Sequence, residues 1–364
     1  MSLDPPATLE ICLKRETEKY FRWFDGDYII RPISFIHSEL ERRFSSVGLF
    51  VAAVKLPPDN IYFQNQETKF LKTTINMLSK LSDHLGDHVV DKDSGANVFH
   101  ANSPHALIQA SGYLKYMRAK EANKGVFFRG QPQLYPGLQP SLLRGLKPEA
   151  SNAKRRHILA NLLAPFQSDR NKLRAVDPHF HEALLQHYGI RTTWLDVVDN
   201  IWIALWFACH NANSVWGPPH YLHFEKRNPE YHSPIGPQYA YILLIESAYF
   251  TPLPGHSGHY QDNSSETIDL RVAVPSQYLR PHAQHGILVR RLSTTGKPAN
   301  DFRPLHIGTI RVSLSAALDW LGSATTLTTH SLFPPVYYDS GYRELLEDVH
   351  PEDYILGSIM RIQP

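Results

Sequence analysis

A chain of 364 residues can bury a large core and is expected to divide into two domains, and 37 Lys and Arg against 35 Asp and Glu leave a net charge of +2, too balanced for a blanket attraction to nucleic acid or an acidic membrane. Its 42 % hydrophobic and 20 % charged content is that of a globular protein, and no stretch reaches the ~18 uninterrupted apolar residues that a membrane span requires. The opening Met1-Ser2-Leu3-Asp4-Pro5-Pro6 lacks the basic flank and apolar run of a secretory signal, and two cysteines far apart make no disulfide framework, so the expected location is the reducing cytoplasm.

Residues 1–95 are expected to form an N-terminal accessory domain. Amphipathic segments fall near 9–20, 35–44 and 67–85, and 47–54 has the apolar run of a buried strand, although its length also allows a helix. The aromatic residues Trp23, Phe24, Phe50 and Phe63 fit its core or, alternatively, a partner-binding face. The polar stretch 91–97 has turn formers and no apolar period, which suits a linker to a second domain over 97–364.

In that second domain Ser103 and Pro104 read as cap and first turn of a helix carrying Leu107, Ile108, Tyr113 and Leu114. Val126, Phe127 and Phe128 favour a strand, and it closes on Arg129-Gly130-Gln131. Gly130 is assigned to an unobstructed turn, and Arg129 to a planar donor fork that either braces the strand end against a carboxylate or meets an anionic ligand. Gln131, two residues on, shares the face of Arg129 if the strand continues. A helix is expected over about 149–165, with Ile158, Leu159, Leu162 and Leu163 at helical spacing and Pro165 as its stop. Its basic run Lys154-Arg155-Arg156-His157 is a solvated face.

Asp177-Pro178 opens the next helix, which Gly189 ends. His179 and His181 on it point in different directions, and with His187 they complete no ligand spacing, so no metal is expected; His187 is assigned to a hydrogen bond at the helix end, and Tyr188 to the core. Residues 192–195 can run extended before Asp199-Asn200 opens a helix over 201–210 that is apolar most of the way round. From Tyr221 the pattern turns to strands, clearest at 239–245, 286–289 and 305–312, with loops at 216–219 and 251–265, the second long enough for a lid. Helices first and strands after imply an α+β fold with a mixed or antiparallel sheet.

Phe128-Arg129-Gly130-Gln131, the run from Leu184 to Asp196, Ala204-Leu205-Trp206-Phe207-Ala208, the run from Leu279 to Ile287, and Ser331-Leu332-Phe333-Pro334-Pro335 together resemble, in order and spacing, the FRG domain, a family named for its Phe-Arg-Gly motif and recurrent in bacterial and phage proteins. The resemblance spans 97–348. Where that family usually reads Gly-x-Pro-Thr-Arg-Leu-Leu-Asp-Trp, this chain has Arg191, Thr193, Trp194 and Val197 in place of the proline, the arginine, the first leucine and the tryptophan. In motif order the FRG layout is distantly similar to the ADP-ribosyltransferase superfamily.

That second resemblance implies a sheet core flanked by helices and an enzyme that takes NAD as substrate and breaks its nicotinamide–ribose bond, as a toxin or defence effector. By the same implication Arg129, Thr192, Asp196 and Gln284 are the catalytic set, and Arg129, Gly130, Gln131, His187, Tyr188, Thr192 and Thr193 hold the dinucleotide. The ordering hydroxyls are then Thr192 and Thr193. Where such enzymes place a late glutamate this chain offers Arg280, His282, Gln284 and His285. Gln284 can hydrogen-bond a ribose hydroxyl but carries no charge to stabilise a developing cation, so Asp196, Glu182 or Glu266 is needed as the carboxylate. Two alternatives stand beside it: a non-catalytic module that recognises a nucleotide or nucleic-acid end through Arg129, Gln131 and His187, and a nuclease or other hydrolase using His187 with Asp196. The macromolecular acceptor is not indicated.

Overall fold

A computed structural model of the chain describes residues 87–362, apart from short segments at 92–93, 95–96, 145–148, 169–172, 174, 216–220, 230–237, 323–325 and 352–353. The segments expected at 9–20, 35–44, 47–54 and 67–85, and the loop at 216–219, lie outside the described residues. The strands are β1 (Asp87–Val90), β2 (Asn97–His100), β3 (Lys124–Gln131), β4 (Leu195–Val198), β5 (His210–Val215), β6 (Tyr221–Lys226), β7 (Tyr239–Ala248), β8 (His259–Gln261), β9 (Ser265–Asp269), β10 (Gly286–Arg291) and β11 (His306–Ser313). Among them run helices α1 (Pro104–Ala122), α2 (Glu149–Ser168), α3 (His181–His187), α4 (Ile201–Ala208), α5 (Leu270–Ala273), α6 (Leu279–Ala283), α7 (Leu314–Leu321), α8 (Thr329–Leu332) and α9 (Ser340–Asp348).

Among the described residues nine strands form one sheet in the order β1-β2-β11-β7-β3-β4-β10-β9-β8, and β5 pairs with β6 as a separate ribbon. Every pairing in the large sheet is antiparallel except β2 with β11. The α+β class is as the sequence implies. The segregation of helices from strands is not, because the central strands β3 and β4 come from the first, helix-rich half.

Their position follows from their side chains. Val126 and Phe128 on β3 pack with Leu107, Ala204 and Leu205 of α1 and α4 on one face, while Phe127 meets Leu195, Val197, Leu243 and Ile245 on the other. The core of β7, from Ala240 to Ile245, is buried at every position. Each such side chain contributes on the order of 1.5–3 kcal/mol relative to exposure, which is why a continuous apolar run ends up central, with both faces covered.

Local signals set the helix starts. Ser103 Oγ accepts from Ala106 N at the head of α1, Asp177 from His179 N in the turn leading to α3, and Asn200 Oδ1 from Trp202 N and Ile203 N at the head of α4. Two expectations are corrected. Pro165 lies inside α2, which runs on to Ser168, since a proline near the end removes few helical bonds. The 251–265 connection is no open lid: it contains β8, paired with β9, and Gln261 N and Leu253 N donate to Thr251 O and His259 O. Strands β1 and β2, on either side of the stretch expected as a linker, pair antiparallel with each other. There Asp91 is 2 % exposed and accepts from Tyr241 Oη at 2.7 Å and Arg311 Nη1 at 3.2 Å.

Candidate functional site

Strands β3 and β4 share one pair, Phe128 with Val198. Two more steps in that register would set Gly130 opposite Asp196. The strands part instead, each keeping its ladder with the neighbour on its other side, and a cavity of about 520 Å³ opens at the split. Arg129, Gly130, Gln186, His187, Asp196 and Gln284 form its polar lining, facing the rings of Phe128, Phe207, Phe224 and Phe333. Tyr135, His210, Asn211 and Asn213 also line it at more exposed positions, the asparagines from the β5–β6 ribbon, and Met360 is among its apolar lining.

Gly130 serves a different purpose from the turn expected of it. It sits within β3, paired with Ile242, and a Cβ there would come within 1.8 Å of Ala204 O on α4. Glycine lets the helix lie directly on the strand, and that contact places Phe207 against the cavity. Arg129 Nη1 donates to Asp196 O at 2.6 Å across the split, so the guanidinium braces the strand through a backbone carbonyl. Its Nε is buried without a hydrogen-bond partner, and it makes no ion pair among the described residues. Burial pushes the guanidinium down to about 10, with Arg144 adding to the shift and Asp196 opposing it; it therefore stays cationic at neutral pH.

Asp196 is the one carboxylate in the lining, its side chain 38 % exposed. Its Oδ2 accepts from Gln186 Nε2 at 2.5 Å, and its Oδ1 lies 3.7 Å from His187 Nδ1. The His187 ring packs on the backbone of Gly286, where an added Cβ would meet it at 2.5 Å, and its Nε2 has no hydrogen-bond partner among the described residues. Gln284 caps the end of α6 and donates from Nε2 to Leu332 O at 2.8 Å.

The structure thus brings Arg129, Gly130, His187, Asp196 and Gln284 to one cavity and leaves four expected residues outside it. Thr192 is fully buried; its N and Oγ1 donate to Gln186 Oε1 at 3.1 and 2.8 Å, behind the wall. Thr193 donates through N and Oγ1 to Glu182 Oε1 and accepts from Arg290 Nη1. Both precede β4, which begins only at Leu195, so neither hydroxyl is carried to the strand end facing the cavity. Tyr188 is core, its Oη donating to Asp339 Oδ2 at 2.7 Å. Gln131 ends β3 buried, with Oε1 unpartnered and away from the lining.

Glu182 and Glu266, the other candidate carboxylates, are engaged by Arg290 at 3.5 and 2.6 Å and do not line the cavity. His179, His181 and His187 do not meet: His179 contacts His259, and His181 shares a hydrogen bond with Val176 O. Among the described residues no group of three or more His, Cys, Asp or Glu is arranged to hold a metal ion, and no helix is long and apolar enough to cross a membrane. Sequence reasoning missed Gln186 and the ring wall. Phe207 and Phe333 stood inside recognised motifs, whereas the Asn-rich β5 carries no apolar alternation to announce a strand.

The fold and site define an α+β protein whose candidate ligand cavity lies where the central sheet splits between two antiparallel strands. Residues 124–215, from β3 through β5, match the family model of the FRG domain, and this segment builds most of the polar lining. No curated protein and no solved structure matches the chain.

Proposed function

We propose that the cavity takes NAD and that the protein breaks its nicotinamide–ribose bond, as the motif-order resemblance to ADP-ribosyltransferases implies. The observation that carries this reading is the convergence of one uncompensated guanidinium, one carboxylate, a histidine and a glutamine on a single cavity of about 520 Å³ with a wall of rings opposite. That size and mixed lining suit a cofactor-scale ligand. A planar carboxamide entering the split would lie beside Arg129 and Gly130, and the rings stack its aromatic system. Arg129 supplies the charge for the pyrophosphate.

Cleavage sends the C1′–N electron pair to the nicotinamide ring nitrogen and leaves an oxocarbenium ion at the ribose. The Asp196 carboxylate, rather than Gln284, faces that developing cation; water or an acceptor nucleophile then bonds C1′ and loses a proton, for which His187 beside Asp196 is the base. Such an enzyme would act on the cytoplasmic NAD pool and would suit a toxin or defence effector. The amide of Gln284 at the late position favours a second reading, a nucleotide-binding module without turnover.

Nicotinamide release from NAD by the purified full-length protein is the test, read by chromatography. Arg129→Ala and Asp196→Asn are each expected to slow it by about 10²-fold or more, and Gln284→Ala by about tenfold. Binding of NAD without nicotinamide release selects the binding module; absence of binding refutes both.

A further inference from the structure

Arg280 on α6 is fully buried; its guanidinium makes no ion pair among the described residues, and the side-chain oxygen it reaches is the Tyr342 hydroxyl, at a loose geometry. Its Cζ lies 4.4 Å from the ring centre of Tyr188, 4.7 Å from that of Tyr342 and 5.4 Å from that of Phe333. Asp339, also fully buried, accepts from Tyr188 Oη and from the backbone amides of Arg280 and Tyr342, and forms no ion pair with the guanidinium. A cation removed from water without an anionic partner is unfavourable, and one hydroxyl and the ring faces offset only part of that cost. A group kept at such a disadvantage invites a reason in what it touches.

Each neighbour leads to the same wall of the cavity. Phe333 lines it and stacks on Phe224, another lining residue, at 4.6 Å and 25°. Tyr342 Oη donates to the carbonyl of Met360, which also lines it. Gln284 stands one helical turn beyond Arg280 and donates to Leu332 O, next to Phe333. Resting on the nucleotide-binding reading above, we propose that Arg280 is a positioning residue: through the faces of Phe333 and Tyr342 it holds the Phe333–Phe224 stack in the place where a planar base of the ligand docks.

The test compares Arg280→Lys, which keeps the charge, with Arg280→Met, which keeps length and apolar bulk without it, using ADP-ribose as probe in calorimetric titrations of the full chain. Arg280→Met is expected to melt at or above the wild-type temperature, since a buried charge without an anionic partner is gone, while its dissociation constant for ADP-ribose rises about tenfold. Arg280→Lys is expected to stay within about threefold of wild type. Wild-type affinity in a folded Arg280→Met protein, or a lysine variant as weak as the methionine one, overturns the assignment. If Arg280→Met does not fold, Phe333→Leu substitutes for it: about tenfold weaker binding supports the role and unchanged binding overturns it. If the wild-type chain binds no ADP-ribose, the nucleotide reading fails, and a crystal structure of Arg280→Met decides separately, with Phe333 displaced from Phe224 in support and Phe333 in place against.

Discussion

At the scale of single residues, Arg129 and Gly130 show how one dipeptide can serve two neighbours. The arginine reaches across the split to Asp196 O, and the glycine admits α4 on the opposite face, where any side chain would enter the Ala204 carbonyl. Gly130→Ala must push strand and helix apart, and overpacking of this kind costs about 1–3 kcal/mol or more. Urea unfolding of the variant is expected to show that loss with an unchanged slope; a change under about 0.5 kcal/mol would mean the helix yields freely. The pair stood out in the sequence because Arg-Gly is an unusual end for an apolar strand. The hydroxyls did not read so well, because with a side-chain period of 2 a strand's true start decides which way Thr192 and Thr193 point, and the extended sequence pattern begins before the ladder does. Gln186 was illegible for another reason: its use depends on Thr192 and Asp196 meeting from separate elements.

At the scale of elements, the caps were legible and the short strands were not. Ser103, Asp177 and Asn200 each carry their own mechanism, whereas the three residues of β8 hold no period at all and left 251–265 looking like an open loop. That connection is pinned by histidines. His179 Nε2 and His259 Nδ1 approach to 2.6 Å, His256 stacks on His179 at 4.0 Å, and His256 Nδ1 lies 3.2 Å from Asp177 Oδ2. On the inner side His259 faces Glu266 at 3.7 Å, with Arg290 adding positive charge. Burial, then the charge that His179 would carry, pushes His259 down to about 4, and burial also lowers His179, with His256 adding to the shift and Asp177 opposing it. The neutral rings are therefore favoured in the folded state. Their stabilisation is complete above the unfolded histidine value of about 6.5 and is lost as pH falls from there towards 4, on the order of 3 kcal/mol for His259. Melting temperatures measured across that window are expected to drop for the wild type and to drop less for His259→Gln; parallel curves would show that other groups carry the acid sensitivity.

At the scale of the whole molecule, the class of fold was readable from the apolar runs of β7, β10 and β11, but the order of strands was not, because pairing between residues far apart leaves no local trace. The β1–β2 hairpin is the sharpest case: the polar stretch 91–97 has the chemistry of a linker and of a hairpin connection alike, and only the partners of Asp91 separate the two. Burial works to raise the Asp91 carboxyl, but hydrogen bonds from Ser94, Tyr241 and Arg311 outweigh it and hold it below the usual carboxylate range. Arg311, 9 % exposed, lies on β11, and Tyr241 on β7, so one carboxylate joins the hairpin to the next two strands of the sheet. Asp91→Ala leaves the Arg311 charge buried without that anion, with the Tyr239 ring 4.0 Å from its Cζ as a partial offset, a change that typically costs about 3–5 kcal/mol. If the hairpin belonged to a separate N-terminal unit, that substitution would leave the main unfolding transition untouched. Because the pair lies within the sheet, the expected outcome is a single cooperative transition shifted by that amount near neutral pH. The difference from wild type should shrink below about pH 4, as protonation removes the anion that the substitution deletes.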